Sequence, residues 1–269
     1  MTGHGKVETS FRVECHQHRA ISDQATHTTF KSTQSMKKNL LLSTALLLAG
    51  SLIAADSSPK DDVVSAAKKL GEKANYSWKT TVVVPEGSRM RPGPTEGKTE
   101  KDGFIVVTST FGENKMETVL KGDKGAMTGQ DGDWQSLADV EKEEGFGRFR
   151  AMMARNIRTP AVQGAELATG SKEIKKDGEA YGSDLTEAGA KDQLRFGPRG
   201  GDGPEISNAK GSVKFWLKDG LLSKYEIKVT GTMSFNGEDR ALDRTTTVEI
   251  KDVGTTKVTV PDEAKKKLS

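Results

Sequence analysis

The chain has 269 residues, a formal net charge of +3, 33% hydrophobic residues, one cysteine and four histidines. Cys15 and all four histidines (His4, His16, His18 and His27) precede a secretion-signal pattern, and the chain beyond that pattern holds 35 basic and 35 acidic residues. That later part therefore has no disulfide framework, no thiol or histidine catalysis and no cationic surplus for nucleic acid, and we expect neither a metal nor a cofactor.

The signal pattern begins with Met36-Lys37-Lys38-Asn39 and continues as an apolar stretch that ends at Ala54-Ala55. A basic start, an apolar stretch and a small-residue end are typical of a cleaved signal peptide, so we predict that residues 36–55 are removed after Ala55. The alternative is an uncleaved anchor, although the stretch is shorter than the roughly 20 apolar residues of a spanning helix. We expect residues 1–35 to be an upstream extension from a mis-assigned start.

Residues 56–269 are long enough for one substantial core, and we predict a single extracytoplasmic domain, periplasmic or secreted, without a transmembrane span. Asp61–Lys73 is predicted to form a helix capped by Ser57 or Ser58. A strand at Tyr76–Val84 and a proline-broken loop at Arg89–Glu96 are predicted next. Turn residues then separate predicted antiparallel strands at Gly103–Phe111, Lys115–Leu120 and Gly125–Gly129, and Trp134–Ser136 is predicted to be a short edge strand or the entry into the next element.

Leu137–Ile157 is the best candidate for a long helix, because its apolar residues recur at helical spacing. Gly145 and Gly147 each weaken its middle by about 1 kcal/mol relative to alanine. One helix, two helices or a mobile segment therefore remain open. The elements predicted after it are a helix at Pro160–Leu167, a strand at Tyr181–Leu185, a helix at Thr186–Leu194 and a loop at Phe196–Pro204.

The last third is predicted to be an antiparallel meander with hairpin turns at Asp219-Gly220 and Asn236-Gly237. Apolar and charged residues alternate along its strands, which indicates one apolar and one solvated face. Such a sheet needs helices on its apolar face. We therefore predict an α+β fold, a large curved antiparallel sheet or unclosed β-barrel with helices covering its concave face.

A Ser-Lys dyad is the one nucleophile arrangement left, and S-x-x-K occurs at Ser65–Lys68 and Ser207–Lys210. Neither match is accompanied by the S-D-N and K-T-G motifs of Ser-Lys hydrolases. We therefore predict no enzymatic activity and rank a Ser-Lys hydrolase third among the functional hypotheses.

The remaining indication of function is a set of large apolar side chains. Four of them, Phe146, Phe149, Met152 and Met153, fall within the predicted helix Leu137–Ile157. Methionine suits adaptable binding surfaces, and small-ligand clefts are largely apolar. The alternative is that these residues form the core. The candidates for an apolar cavity or its lid are Trp78, Phe104, Trp134, Phe146, Phe149, Met152, Met153, Phe215 and Tyr225.

The order of elements resembles the periplasmic lipoprotein-carrier superfamily, the LolA and LppX kind of fold. The resemblance rests on the signal, the helix Asp61–Lys73, the Trp78 strand, the Trp134 segment leading into a helix, and the closing run Gly211–Leu268. It implies an unclosed barrel whose helices form a lid over an apolar cavity for acyl chains. We expect a non-catalytic extracytoplasmic carrier of a lipid or lipoprotein; the alternative is a cell-envelope protein with a filled core that binds a protein partner.

Overall fold

Eleven strands pair into one antiparallel sheet in the computed structural model of the chain, which describes residues 57–88, 91–111, 114–129, 131–195, 204–235 and 237–268. Every described residue belongs to one compact unit, which falls within Ala54–Ser269. The predicted signal and nearly all of the predicted loop Phe196–Pro204 lie outside the described residues.

The strand order is β6-β5-β4-β3-β2-β1-β11-β10-β9-β8-β7, so β6 and β7 are the two edges and the sheet is not closed. This confirms the predicted α+β class and the unclosed antiparallel sheet. The strands are β1 (Asn75–Val83), β2 (Thr95–Glu100), β3 (Ile105–Phe111), β4 (Asn114–Lys121), β5 (Lys124–Thr128), β6 (Trp134–Ser136), β7 (Lys175–Asp177), β8 (Ala180–Asp184), β9 (Glu205–Lys218), β10 (Leu221–Phe235) and β11 (Glu238–Lys251).

The sheet is two meanders, β1–β6 and β7–β11, joined where β1 pairs with β11. Trp78 lies opposite Ile250 in this pairing, and Thr80 lies opposite Val248. Because side chains alternate between the faces of a strand, this register puts Trp78, Thr80 and Val248 on one face. All the helices between the two meanders cross that face.

The described helices are α1 (Pro59–Gly71), α2 (Leu137–Val140), α3 (Phe146–Arg155), α4 (Pro160–Thr169), α5 (Glu187–Leu194) and α6 (Asp262–Lys267). Ser58 caps α1, since its hydroxyl accepts a hydrogen bond from the Asp61 amide at 3.2 Å. Gly145, with a φ of 63°, lies between α2 and α3. Of the three alternatives for Leu137–Ile157, the structure shows two helices: α2 ends at Val140, and Gly145 precedes α3 with a positive φ that a continuous helix does not allow.

The main core lies between the sheet and helices α1, α4 and α5. Leu70, Leu167 and Leu194, one from each helix, are at most 2% exposed and pack with Phe215 and Tyr225 of the sheet. Helices α2 and α3 cover the other half of the same face through Leu137, Val140, Ala151 and Ala154, which meet Leu120 and Met127.

The opposite face of the first meander has a cluster of its own. Val119, Ala126 and Trp134 pack there against Val260, Ala264 and Leu268 from the C-terminal segment that contains α6. Phe104 packs against the same cluster. The first meander is therefore covered on both faces.

Strand β2 was not predicted, because Thr95–Glu100 reads TEGKTE and its first two residues fall in the predicted loop Arg89–Glu96. The segment forms a strand because β1 and β3 flank it and supply ladder hydrogen bonds on both sides. Its sequence has little intrinsic strand preference, so the neighbouring strands decide its conformation.

Candidate functional site

A cavity of about 400 Å³, partly open to solvent, lies between the helix-covered face of the sheet and helices α3, α4 and α5. This volume falls within the range of small-ligand sites. Both meanders and the segment that joins α3 to α4 contribute to its wall. Its lining comprises Trp78, Thr80, Thr95, Ser109, Met116, Thr118, Met153, Ala154, Asn156, Ile157, Arg158, Gln163, Glu166, Asp192, Gln193, Arg195, Tyr225 and Arg244.

A row of cross-strand partners forms the floor of this cavity. Thr80 lies opposite Thr95, Thr95 opposite Ser109, and Ser109 opposite Met116. The Thr95 hydroxyl donates to the Ser109 hydroxyl at 3.4 Å. On the other side of Thr80 the row continues through Val248 to Tyr225. The floor is therefore polar in its middle and bulkier at both ends.

Trp78, Met116 and Ile157 supply large apolar surface to the cavity, and Met153 and Ala154 of α3 add to it. Trp78 is 6% exposed, and its indole lies over Gly97 of the neighbouring strand. A Cβ atom at position 97 would overlap the indole ring. The wall at Trp78 thus depends on a glycine in β2.

Arg244 on β11 brings a half-buried guanidinium to the cavity. Its Nη2 donates to the Gln193 carbonyl at the end of α5. Its buried Nε has no hydrogen-bond partner, and neither has the buried Nδ2 of Asn156, which also lines the cavity. Burial lowers the pKa of Arg244 because it removes water from the charged form.

Tyr225 connects the cavity to the core. Its ring is fully buried and lies 6.5 Å from that of Phe215, and its hydroxyl donates to Gln163 Oε1 at 2.6 Å. Burial raises the pKa of Tyr225 well above its usual value of 10.0, and the nearby Tyr76 adds to the shift. The tyrosine is therefore a neutral hydrogen-bond donor that fastens α4 to the sheet.

A second, open cleft of about 520 Å³ lies along α3. Phe149 and Met152 line it together with Glu141, Gly145, Arg148, Arg155 and Asn156. Arg155 Nε pairs with Glu141 Oε1 at 2.7 Å. Asn156 borders both spaces, so the C-terminal end of α3 separates the cleft from the cavity.

Helix α3 exposes large apolar side chains to solvent. Phe146, Phe149 and Met153 are 64%, 37% and 39% exposed, and the two phenyl rings stack with centroids 6.3 Å apart. The helix packs against the sheet through Ala151 and Ala154, and Arg150 and Arg155 donate hydrogen bonds to the carbonyls of Thr128 and Asp123.

The structure places the nine predicted site residues in several locations. Trp78, Met153 and Tyr225 line the cavity, Phe149 and Met152 line the cleft, and Phe146 lies on the surface beside it. Phe215 is buried in the main core. Phe104 and Trp134 are not brought to the cavity, since they pack in the cluster on the opposite face.

Sequence reasoning missed the polar lining of the cavity, including Thr80, Ser109 and Arg244. One signal was present for Thr80, which stands two residues after Trp78 and so shares its face in a strand. No comparable signal marks Ser109 or Arg244, because each depends on which strands become neighbours.

Neither S-x-x-K match lies in the spaces described above. Ser65 and Lys68 are exposed on α1, and Lys210 is exposed on β9. Among the described residues no group of acidic, histidine or cysteine side chains is placed to hold a metal ion. Within the same ranges no helix combines the length and apolar character needed to cross a bilayer.

Among known proteins, the chain is similar to some whose structures have been solved. No family model and no curated protein matches the chain. The chain is similar to LprF from Mycobacterium bovis, with 12% identity and a TM-score of 0.42, over 77% of this chain and 97% of that one. It is also similar to the lipoprotein LppX from Mycobacterium tuberculosis, with 7% identity and a TM-score of 0.39, over 76% and 98% of the two chains. The strand pairing itself shows the predicted architecture, one open antiparallel sheet with helices packed against it.

Proposed function

We propose that this protein is a non-catalytic, extracytoplasmic binding or carrier protein for a lipid or the acyl chain of a lipoprotein. The observation that carries the proposal is the cavity of about 400 Å³ between the helices and the sheet. The signal pattern at residues 36–55 supports the location outside the cytoplasm.

Apolar contact with Trp78, Met116 and Ile157 would bind the acyl chain. Each methylene transferred from water to such a surface contributes about 0.8 kcal/mol. The hydroxyls of Thr80, Thr95 and Ser109 would lie next to the acyl chain of the ligand, and they are uncharged. Micromolar affinity corresponds to about 8 kcal/mol, so about ten buried methylenes are needed for it, and more to offset the cost of association.

Helix α3 is the proposed lid. Met153 and Ala154 line the cavity, and Phe149 and Met152 line the cleft along α3. An outward movement of α3 would join the two spaces at Asn156, because this residue borders both. Phe146 and Phe149 then provide apolar surface along the path of an entering chain.

A second candidate function is a cell-envelope protein that binds a protein partner through its surface. Two observations favour it. Phe215 and Tyr225 are fully buried, so much of the helix-covered face is filled with core. The exposed apolar side chains Phe146, Phe149 and Met153 are the kind of surface that marks an interaction site.

Filling the cavity distinguishes the two functions. Ser109→Phe puts a ring into the floor, whereas Thr108→Phe puts the same ring on the opposite face of β3 and serves as the control. We expect Ser109→Phe to weaken binding of a fluorescent fatty acid at least about tenfold, the equivalent of two displaced methylenes. Equal binding by both variants and the unmodified protein would contradict a ligand in this cavity.

A further inference from the structure

The charged lining of the cavity consists of Arg158, Arg195 and Arg244 together with Glu166 and Asp192. Glu166 and Asp192 have interaction partners in the structure. Arg244 differs from the other two arginines, which are exposed, because it is half-buried and its Nε has no acceptor. Native structures rarely leave a buried donor unpaired, so this atom points to a missing acceptor.

The chemistry of Arg244 defines that acceptor. A guanidinium stays charged in proteins and has five donors but no acceptor of its own. Burial disfavours its charged form, and a nearby anion would offset that cost. Hydrogen bonds from arginine to a carboxylate or phosphate are the strong, charge-assisted kind. The Nδ2 of Asn156 is a second unpaired donor in the same lining.

The position of Arg244 separates it from the apolar end of the cavity. Val248 lies opposite both Thr80 and Tyr225, and Arg244 lies on the same face of β11 four residues away. At about 3.3 Å per residue, this separation is roughly 13 Å along the strand. Trp78 lies beyond Val248 in the other direction, opposite Ile250. The large apolar surface of Trp78 and the guanidinium of Arg244 thus lie toward opposite ends of the cavity.

We propose that the ligand is an amphiphile with an anionic headgroup, a carboxylate or a phosphate, whose oxygen accepts a hydrogen bond from Arg244 Nε while its chain extends toward Trp78. This inference rests on the proposed acyl-binding function and adds the chemical class of the headgroup. The bond from Arg244 to the Gln193 carbonyl holds the guanidinium in place for the contact.

Three probes with one chain length test the inference on the unmodified protein: laurate, dodecyl phosphate and dodecanol, titrated by isothermal calorimetry. We expect at least one of the two anions to bind roughly ten- to a hundredfold more tightly than the alcohol, as a charge-assisted hydrogen bond would give. Preference for one anion would identify the headgroup as carboxylate or phosphate. Equal binding of all three would overturn the headgroup assignment and leave the carrier function standing. Binding of none would overturn the carrier function itself.

Arg244→Gln then assigns the preference to this side chain. The variant should bind dodecanol as the unmodified protein does and lose its preference for the anions. Arg240→Gln is the matched control, because Arg240 lies on the same strand but is exposed and pairs with Glu238 at 3.1 Å. A preference that survives in Arg244→Gln, or is lost equally in Arg240→Gln, would overturn the assignment. If Arg244→Gln fails to fold, the comparison of the three probes on the unmodified protein still decides the headgroup class.

Discussion

The indole of Trp78 covers the backbone of Gly97 on the neighbouring strand, and this contact sets one wall of the cavity. The two residues are direct cross-strand partners on the helix-covered face. A side chain at position 97 would occupy the space of the indole. An unremarkable polar segment, TEGKTE, therefore determines the position of the largest apolar side chain in the site.

Gly97→Ala should lower the free energy of unfolding by about 1–3 kcal/mol, because the added methyl group forces the indole from its position. Urea unfolding followed by circular dichroism measures the change. Gly182→Ala is the control, since a Cβ atom at that position in β8 meets nothing within 4 Å. A loss of stability in Gly182→Ala as large as that in Gly97→Ala would contradict the packing explanation.

Phe149→Asp should release bound lipid faster, by about tenfold or more, while the sheet remains folded. The phenyl ring is 37% exposed along the open cleft, and a carboxylate there opposes the passage and retention of an acyl chain. Stopped-flow dissociation of a fluorescent fatty acid measures the rate. Val162→Asp makes the same change at a 46% exposed position on α4 outside both spaces, and it should leave the rate unchanged. Unchanged retention in Phe149→Asp would remove α3 from the role of a lid.

The three tyrosines of the chain should titrate above the usual tyrosine range in the folded protein. Burial is the largest cause that raises the pKa of Tyr76, Tyr181 and Tyr225; hydrogen bonds with Thr159 and Ala161 partly oppose it at Tyr76, and Asp62 adds to it at Tyr181. Phenolate absorbance measured against pH should therefore rise at a higher pH in the folded protein than in the chain unfolded by urea. A phenolate that forms in the folded protein near pH 10 would contradict the buried positions.

The sign of the pH dependence follows from these raised pKa values. Above the unfolded pKa of 10.0, the unfolded chain loses phenolic protons that the folded chain retains, so stability falls as pH rises. Below that pH the contribution of the tyrosines is constant. Tyr225→Phe removes one of these protons, and its stability should decline less steeply above pH 10 than that of the unmodified protein.

Val260→Asp should destabilise the protein by about 2 kcal/mol or more without changing the lipid affinity of the molecules that remain folded. Val260 is 6% exposed and packs in the cluster with Trp134, on the face opposite the cavity. Urea unfolding and a fatty-acid titration on the same sample measure both quantities. Weakened affinity at full folding would show that the opposite face takes part in binding, and would return Phe104 and Trp134 to the site.

The sequence alone was enough to predict those elements that are determined by residues close together in the chain. Val213 and Phe215 of β9 are buried and Lys214 is exposed, as their alternation predicts, and Ser58 caps α1 as one of the two predicted caps. In these elements burial or a local hydrogen bond acts within a few residues of the chain. The alternation therefore appears directly in the sequence.

The site was less predictable because it depends on pairing between distant strands. Arg244 stands in the polar run EDRALDRTTT, which looks solvated, and is half-buried only because α5 covers that end of β11. Trp134 and Phe104 are large aromatic residues of the kind found in ligand sites. The register of the strands places both side chains on the face opposite the cavity. A change of one residue in register exchanges the two faces of a strand, and sequence alone does not fix it.

The most direct test of the carrier function is native mass spectrometry of the exported protein, followed by organic extraction of whatever it carries. The account predicts one stoichiometric lipid per chain, lost or reduced in Ser109→Phe and retained in Thr108→Phe. A mass equal to that of the polypeptide alone, unchanged after incubation with laurate, dodecyl phosphate and dodecanol, would contradict a lipid-binding function for this cavity.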